Sequence, residues 1–354
     1  MNRRWIAKPK GFTLIEFLVA SALAIIVISA AGGTYFMTRK VNDTTQRKLE
    51  IQQNLRNAAS MLTRDARNAG TFGCFNMALD GKPPVLPPDL TSRGLKINKT
   101  ENDGFGVRQL PQNSVTTLLT NQRLVSGTFT AASDALLFVY GRGVAGVNKE
   151  ITNVQPNKLS INDASNDPDL NSTLSEKGYL VLSSCTEARL AKVTGVDSGF
   201  KTVDVSIDSN NTLSTITTDS KNSRGEITVS RFYASMYVLG KLSATDSPAL
   251  LRFDLNGQGK WQGPQLLAEG VSGMSISYGY ITDCTNLTAT DESGINQEKY
   301  TFANTLSNKA LPAIVRLHLT YNTSADKANQ SETDYFINAS VRGGNTCGTV
   351  LPIL

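Results

Sequence analysis

The N-terminus of this chain carries a basic leader followed by an apolar run long enough to cross a membrane. The leader contains four basic residues, and the 26 residues from 12 to 37 contain one charged side chain, Glu16. About 20 apolar residues span a bilayer as a helix, so the run is sufficient. Because basic residues stay on the cytoplasmic side, we expect a cytoplasmic N-terminus and an extracytoplasmic chain from about residue 38 onward.

Two common explanations of this run, a secretory signal peptide and an uncleaved signal anchor, each leave part of it unexplained. A secretory signal peptide has a shorter apolar core that ends at a small-residue cleavage site, whereas Ser29, Ala30 and Ala31 lie inside continuing apolar sequence. An uncleaved signal anchor explains the length and the charges but not Glu16, because an acid in a membrane-length helix is costly without a partner. The uncleaved anchor remains the main alternative.

Residues 11–16, Gly-Phe-Thr-Leu-Ile-Glu, resemble the prepilin signature of type IV pilins and type II secretion pseudopilins. The resemblance implies that a prepilin peptidase cleaves between Gly11 and Phe12, removes residues 1–11 and methylates the new amine of Phe12. A carboxylate in an apolar filament core is tolerated when it is paired with an ammonium. Glu16 is therefore expected to accept the Phe12 amine of a neighbouring subunit and set the axial register. The alternative is that Glu16 pairs only with the amine of its own chain.

Apolar residues continue at three- and four-residue steps beyond the membrane-length run. The stripe comprises Val41, Ile51, Leu55, Ala58, Ala59, Leu62, Ala66 and Ala69. This spacing predicts an amphipathic stem helix over residues 38–70, closed by Gly70, with its apolar face on a globular domain. Gly32 and Gly33 interrupt the apolar run and favour either a bend or the close approach of another helix.

The chain after Gly70, residues 71–354, is long enough for one large or two small packed domains. Nine segments have strand-like composition, and several alternate apolar with polar residues, which favours sheets with one solvated face. They are residues 135–140, 179–183, 189–196, 202–207, 226–239, 250–255, 274–280, 314–321 and 335–341. No second long helical pattern is present. The sequence therefore predicts an α+β fold, in which a long N-terminal helix packs on a large β-rich extracytoplasmic body.

Four cysteines fall in the predicted body: Cys74, Cys185, Cys284 and Cys347. An even number in an oxidising compartment indicates two disulfides. Of the three possible pairings, Cys74–Cys185 with Cys284–Cys347 is favoured, because each pair joins neighbouring blocks of sequence. The spacings are too wide for a zinc site.

Features that resemble enzyme or cofactor motifs are weak in context. Residues 141–146 have the spacing G-x-G-x-x-G but are not followed by a helical pattern, so we interpret them as a turn. His318, the only histidine, is expected on the solvated face of a strand. Residues 163–169 form an acidic loop that lacks the ligand spacing of a calcium site. We therefore expect no enzymatic activity, no cofactor and no metal.

The charge balance gives no reason to expect direct binding of nucleic acid. The formal net charge is +5, and four of the positive charges belong to the leader, so the mature chain is near +1. A nucleic-acid-binding domain normally carries a clear excess of basic residues on one surface.

Two further segments resemble PilW-type minor pilins of the type IV pilus. Residues 65–74 resemble the end of their stem helix, and residues 270–279 resemble a strand shared with J-type minor pseudopilins. The resemblance implies a type IV pilin-like fold and an inner-membrane priming complex with other minor pilins and the major pilin. It also implies a place at the pilus tip beside a large tip adhesin, and roles in twitching motility, adhesion or DNA uptake. The alternatives are a tip minor pseudopilin of a type II secretion system, and a surface enzyme or sugar-binding module on a pilin anchor.

Overall fold

The structure is a computed structural model that describes the N-terminal helix and most of the body. The described residues are 11, 13–78, 84–95, 106–125, 129–147, 157–161, 167–197, 199, 202–207, 227–243, 246–281, 300–307, 311–322 and 332–343. Residues up to Glu50 and the body from Ile51 onward belong to separate compact units.

One helix, α1 (Leu14–Asn68), contains both the apolar run and the stem. Among the described helices it is the one that is long and apolar enough to cross a membrane, with a mean hydropathy of 2.5 over its most apolar window. It continues through Gly32 and Gly33, and a Cβ added at either glycine would meet nothing within 4 Å. The glycine pair therefore does not interrupt the helix within the single chain.

The second part of α1 buries one face in the body. The buried residues are Ile51, Leu55, Ala58, Leu62, Asp65 and Ala66. Val41 has the same periodicity but is 58% exposed, so burial begins at Ile51 rather than at Val41. Periodicity identifies the apolar face, whereas contact with the body determines how much of that face is covered. The helix ends two residues before Gly70, whose φ of 72° lies in the left-handed region that glycine adopts easily.

The described part of the body is built from strands of 2 to 14 residues and three short helices. Its first half comprises β1 (Thr71–Phe72), β2 (Phe75–Asn76), α2 (Pro88–Thr91), β3 (Val107–Leu110), α3 (Gln112–Asn121), β4 (Thr130–Ala131), β5 (Ala135–Gly146), β6 (Asn157–Ser160) and α4 (Pro168–Ser175). Its second half comprises β7 (Tyr179–Ser183), β8 (Ala188–Val196), β9 (Thr202–Ile207), β10 (Thr228–Lys241), β11 (Ala249–Leu255), β12 (Trp261–Glu269), β13 (Val271–Ile281), β14 (Tyr300–Ala303), β15 (Ile314–Asn322) and β16 (Glu332–Ser340). All nine predicted strands are present, and β12 is the longest of those that the sequence pattern did not predict.

The largest sheet is antiparallel and is organised around β10. This strand pairs with β5 along one edge, and along its other edge it pairs first with β7 and then with β11. The sheet therefore divides into two branches, one ending at β12 and the other passing through β8 and β9 to β6. A separate antiparallel sheet has the order β14-β13-β15-β16.

The two faces of the ten-stranded sheet contribute to different cores. Successive residues of a strand point to opposite faces, so Phe138 and Tyr237 face a core shared with Leu62 of α1 and Leu317 of the four-stranded sheet. The opposite face packs under β1, β2, α2 and α3, where Phe72 and other apolar side chains are buried. The fold class is therefore α+β, as the sequence predicts.

Candidate functional site

The predicted processing site lies at the start of α1. Gly11 is exposed, and a Cβ at this position would meet nothing within 4 Å. Any requirement for glycine here does not come from packing within the described chain. Phe12 and the basic leader lie outside the described residues, so both predicted pairings of Glu16 with a Phe12 amine also lie outside them.

Glu16 belongs to a capping box at the N-terminus of α1. The backbone N–H and the hydroxyl of Thr13 donate to Glu16 Oε2 at 3.0 and 2.9 Å, and the N–H of Glu16 donates to Thr13 Oγ1 at 3.3 Å. A reciprocal pair of this kind satisfies backbone donors that a helix start leaves without partners. The other carboxylate oxygen, Oε1, accepts no hydrogen bond from the described residues. The spacing Thr-x-x-Glu is visible in the sequence, although the predictions above did not use it.

Large apolar side chains are exposed around the first part of α1. Leu14, Phe17, Ile28, Phe36 and Met37 are all at least 69% exposed. A helix that is apolar around its circumference is stable in lipid or among other helices rather than in water. This segment therefore requires an apolar environment that the described chain does not provide.

A disulfide joins Cys74 to Cys185, with a Cα–Cα distance of 4.7 Å. It connects the turn between β1 and β2 to the turn between β7 and β8, which are 111 residues apart in sequence. Cys74–Cys185 is one of the two disulfides that the sequence predicts, and this prediction is confirmed. Cys284 and Cys347 lie outside the described residues, so the second pairing stays a prediction.

An unpredicted acid, Asp65, is completely buried on the face of α1 that packs on the body. The hydroxyls of Tyr140 and Tyr237 donate to its two oxygens at 2.9 and 2.7 Å. Arg252 forms an ion pair with it, with a distance of 3.0 Å between Nη2 and Oδ2. Asp65 lies three residues after Leu62 on the apolar stripe, and an acid in that position indicates a buried polar partner.

Arg252 extends this network across the sheet. It lies 3.0 Å from Asp254 and donates to the hydroxyl of Tyr233 at 3.0 Å, and Tyr233 donates to Asp254 at 2.7 Å. Burial is the main cause that raises the pKa of Tyr233, and the charge of Asp254 is the second. For Tyr140 and Tyr237, burial again raises the pKa first and the charge of Asp65 second. The network therefore joins α1 to strands β5, β10 and β11 through an ion pair and three tyrosines whose raised pKa opposes their ionisation.

The glycine-rich segment 141–146 belongs to β5 and pairs with β10, so its interpretation as a turn is wrong. Two of its residues, Gly143 and Val144, lie opposite the single residue Ser230. Gly143 has a φ of 66°, which is the conformation that such a bulge requires. The glycines therefore accommodate an irregularity in the sheet.

His318 lies on a partly exposed face of β15, as the alternation predicts. Its Nε2 is 2.8 Å from Asp334 Oδ1, and its ring stacks on Phe336 with centroids 4.4 Å apart. Both contacts are with β16, so they hold the imidazole against the neighbouring strand. Within the described residues, no group of three His, Cys, Asp or Glu is placed to hold a metal ion.

The described residues of the acidic segment 163–169 have structural contacts. Asp167 caps α4 by accepting the N–H of Asp169 at 2.9 Å. Asp169 forms ion pairs with Arg142 at 2.8 Å and with Arg231 at 3.4 Å. Asp163 lies outside the described residues.

Comparison with protein-family models found no match, and comparison with curated proteins found no significant match. The features that bear on function are therefore the N-terminal helix, the single acid of its apolar segment and the body that follows.

Proposed function

We propose that this protein is a PilW-type minor pilin of a type IV pilus. In this proposal, a prepilin peptidase cleaves between Gly11 and Phe12, and the mature chain resides in the inner membrane with its body in the periplasm. Its N-terminal helix then packs with those of other minor pilins and the major pilin in a priming complex. The complex initiates pilus assembly and remains at the tip, where a large adhesin is the expected partner.

The observation that carries the proposal is the presence of two different environments along one helix. Residues 14–37 of α1 are apolar around the circumference and exposed, whereas from Ile51 onward the helix buries a single face in the body. A pilin needs this combination, because the first segment must move from lipid into a helical filament core while the second carries a folded domain. A simple membrane anchor needs only the first segment.

The single acid of the apolar segment also supports assembly through this helix. In the capping box one oxygen of Glu16 is used locally, and Oε1 accepts no hydrogen bond from the described residues. An ammonium from a processed N-terminus is a suitable partner for this oxygen in an apolar filament core. We therefore assign to Glu16 the role of setting the axial register.

The size of the body favours a position at the tip. A minor subunit that caps a fibre places its large domain once, whereas a repeating subunit must accommodate that domain at every position. A tip minor pseudopilin of a type II secretion system shares these features and is the second candidate. Deletion of the gene distinguishes the two, because a pilus subunit is required for twitching and a pseudopilin for protein secretion.

Mass spectrometry of the mature protein tests the processing step. We expect the chain to begin at a methylated Phe12 and the Gly11→Glu variant to retain the leader and migrate more slowly in a gel. The same spectra report whether Cys284 pairs with Cys347. A mature chain that begins at Met1 would identify an uncleaved anchor and contradict the proposal.

Replacement of Glu16 by alanine tests the register role. We expect Glu16→Ala to be cleaved and inserted normally but to be recovered in sheared fibres at least about tenfold less than the wild type, since an unpaired amine remains in the apolar core. Thr13→Val is the matched control, because it removes the hydroxyl of the capping box and leaves the carboxylate. Glu50→Ala controls for the loss of an exposed acid on the same helix. Wild-type recovery of Glu16→Ala would refute the role.

A further inference from the structure

A cleft of about 870 Å³ lies on the body between α2, α3 and the turn that joins β11 to β12. None of its lining residues belongs to α1, so the cleft is separate from the helix through which assembly is proposed. Its volume is within the range of ligand-binding pockets, which is roughly 300–1,000 Å³.

The charged residues that line the cleft are all basic. They are Arg93, Arg108 and Lys260, and none of the described lining residues is acidic. Arg93 and Lys260 form no ion pair with a described carboxylate. Because a concave surface with one sign of charge concentrates counter-ions, the cleft favours an anionic ligand.

Hydrogen bonds hold the guanidinium of Arg93 and the turn that carries Lys260 in place. Arg93 donates to the carbonyl oxygen of Gly259, and the indole Nε1–H of Trp261 donates to the carbonyl oxygen of Arg93 at 3.0 Å. The N–H of Lys260 donates to Asn256 Oδ1 at 2.8 Å, which closes the turn. Arg93 therefore uses carbonyl groups rather than carboxylates and keeps its net charge. A guanidinium held in this way loses less conformational entropy when a ligand binds.

The wall formed by α3 is rich in hydroxyl and amide groups. Its polar lining residues are Asn113, Ser114, Thr117, Asn121 and Gln122. The side chains of Asn113, Ser114, Asn121 and Gln122 form no hydrogen bond with described residues. Such groups both donate and accept, as the hydroxyls of a sugar do.

Other classes of anion fit the cleft less well. Trp261 is the only aromatic residue among the described lining residues, and it is 2% exposed. A single-stranded nucleic acid needs exposed rings on which its bases stack, and the described lining offers none. An acidic peptide would have only Leu110, Pro111 and Leu118 as apolar contacts.

We propose that this cleft binds an anionic oligosaccharide through Arg93, Lys260 and the polar side chains of α3. The anionic group is a carboxylate or a phosphate, since both are recognised by the same cations. The site is independent of the proposed pilus function, so a failure of one leaves the other standing.

Tryptophan fluorescence of the full chain in detergent provides a direct test. The chain contains two tryptophans, so the Trp5→Phe variant makes Trp261 the sole reporter, and it lies in the cleft wall. We expect a galacturonate tetramer or a phosphate-bearing oligosaccharide of equal length to shift its emission, and added salt to weaken binding. Comparison of the two probes identifies the anionic group. Maltotetraose is the neutral control and should bind at least about tenfold more weakly.

Two variants test the location of the site. Lys260→Glu should weaken binding of the anionic tetramer by about tenfold or more, because it inverts one charge at the rim. Lys48→Glu is the matched control, since it makes the same charge change on an exposed residue of α1 and should leave binding unchanged. Ser114→Asp should also weaken binding, although an acid in the first turn of α3 favours the helix.

Several outcomes overturn the proposal. These are no binding of either anionic saccharide, equal binding of maltotetraose, and unchanged affinity in Lys260→Glu. Tighter binding of an acidic peptide or a single-stranded oligonucleotide also overturns it and assigns the cleft to that class of ligand. An unchanged melting temperature of each variant shows that a lost fluorescence signal reflects lost binding and not unfolding.

Discussion

Asp65 shows how one residue can specify the orientation of a helix. Its carboxylate is fully buried, and its partners Tyr140, Tyr237 and Arg252 lie on three different strands. A buried ion pair adds little stability compared with well-packed apolar residues, because both charges lose their hydration. Its bonds are directional, however, so the network selects one rotation of the helix among those that would bury the same apolar stripe. We infer that Asp65 contributes more to specificity than to stability.

Removal of this carboxylate should be strongly destabilising. Asp65→Asn removes one of the two carboxylates that pair with Arg252 and leaves the partly exposed Asp254, and we expect the free energy of unfolding to fall by about 2 kcal/mol. Urea unfolding followed by near-ultraviolet circular dichroism measures the change. Asp43→Asn, an exposed acid on the same helix, is the control. A loss below about 1 kcal/mol would contradict this role of Asp65.

The same network predicts a loss of stability at alkaline pH. Burial and nearby carboxylates raise the pKa of Tyr140, Tyr233 and Tyr237 above that of a tyrosine in the unfolded chain, which is about 10. Below pH 10 the tyrosines are protonated in both states, and the stabilisation is complete. Above pH 10 the unfolded chain releases protons that the folded chain retains, so stability falls by roughly 1.4 kcal/mol per pH unit for each tyrosine.

Chemical unfolding between pH 9 and pH 11 tests this dependence, and Tyr140→Phe should have a shallower slope above pH 10 than the wild type. Equal slopes would show that the hydroxyl of Tyr140 is not part of the effect.

At the scale of elements, two glycines allow the end of α1 to join the large sheet. The N–H of Gly70 donates to the carbonyl oxygen of Val139 at 2.8 Å, and the N–H of Val139 donates to that of Gly106 at 2.8 Å. Both glycines have positive φ, 72° for Gly70 and 82° for Gly106. A Cβ on Gly106 would stand 2.2 Å from the backbone nitrogen of Gly70. The backbone of β5 can therefore bond to the helix end only while this position carries no side chain.

Substitution of Gly106 tests this contact. Gly106→Ala should lower the free energy of unfolding by at least about 2 kcal/mol, because the added methyl group displaces backbone atoms and the φ is unfavourable. Thermal melting measures the change. Gly33→Ala is the control: nothing lies within 4 Å of its added Cβ, and it should favour the helix by roughly 1 kcal/mol. A small effect at Gly106 would mean that the helix end can move without loss of the sheet.

At the scale of the whole molecule, apolar surface has two separate uses. Within the described part of the body, apolar side chains form three cores, the largest of which includes the stripe of α1 from Ile51 onward. In residues 14–37 of α1 the apolar side chains are exposed and contribute to none of these cores. The first use stabilises the fold, and the second requires lipid or other subunits.

This division predicts that the body folds without the first part of the helix. A chain that begins at Glu50 should be soluble and should unfold in urea with a midpoint close to that of the full chain. A chain that begins at Ala69 lacks Ile51, Leu55 and Leu62, which are buried in the largest core, and should not fold. Circular dichroism and size-exclusion chromatography distinguish the two. Aggregation of the chain that begins at Glu50 would show that the membrane segment contributes to the fold.

Features that depend on local spacing could be read from the sequence. The membrane-length run and the stem helix follow from residues three or four positions apart, and the helix stop follows from Gly70. The nine predicted strands follow from alternation and composition over a few residues, and Thr13 with Glu16 would have revealed the capping box in the same way. Each of these signals is complete within one or two helical turns or one strand, so no knowledge of distant contacts is needed.

Features that depend on distant contacts appear only when the chain is folded. The hydrogen-bond partners of Asp65 lie 75 to 187 residues away in sequence, and no local pattern indicates which strands they occupy. From the sequence, residues 141–146 are interpreted as a turn because no helical pattern follows them, and only their pairing with β10 shows that they belong to a strand. The basic cleft likewise combines α2, α3 and the start of β12, whose side chains are neighbours only because the large sheet brings their backbones together.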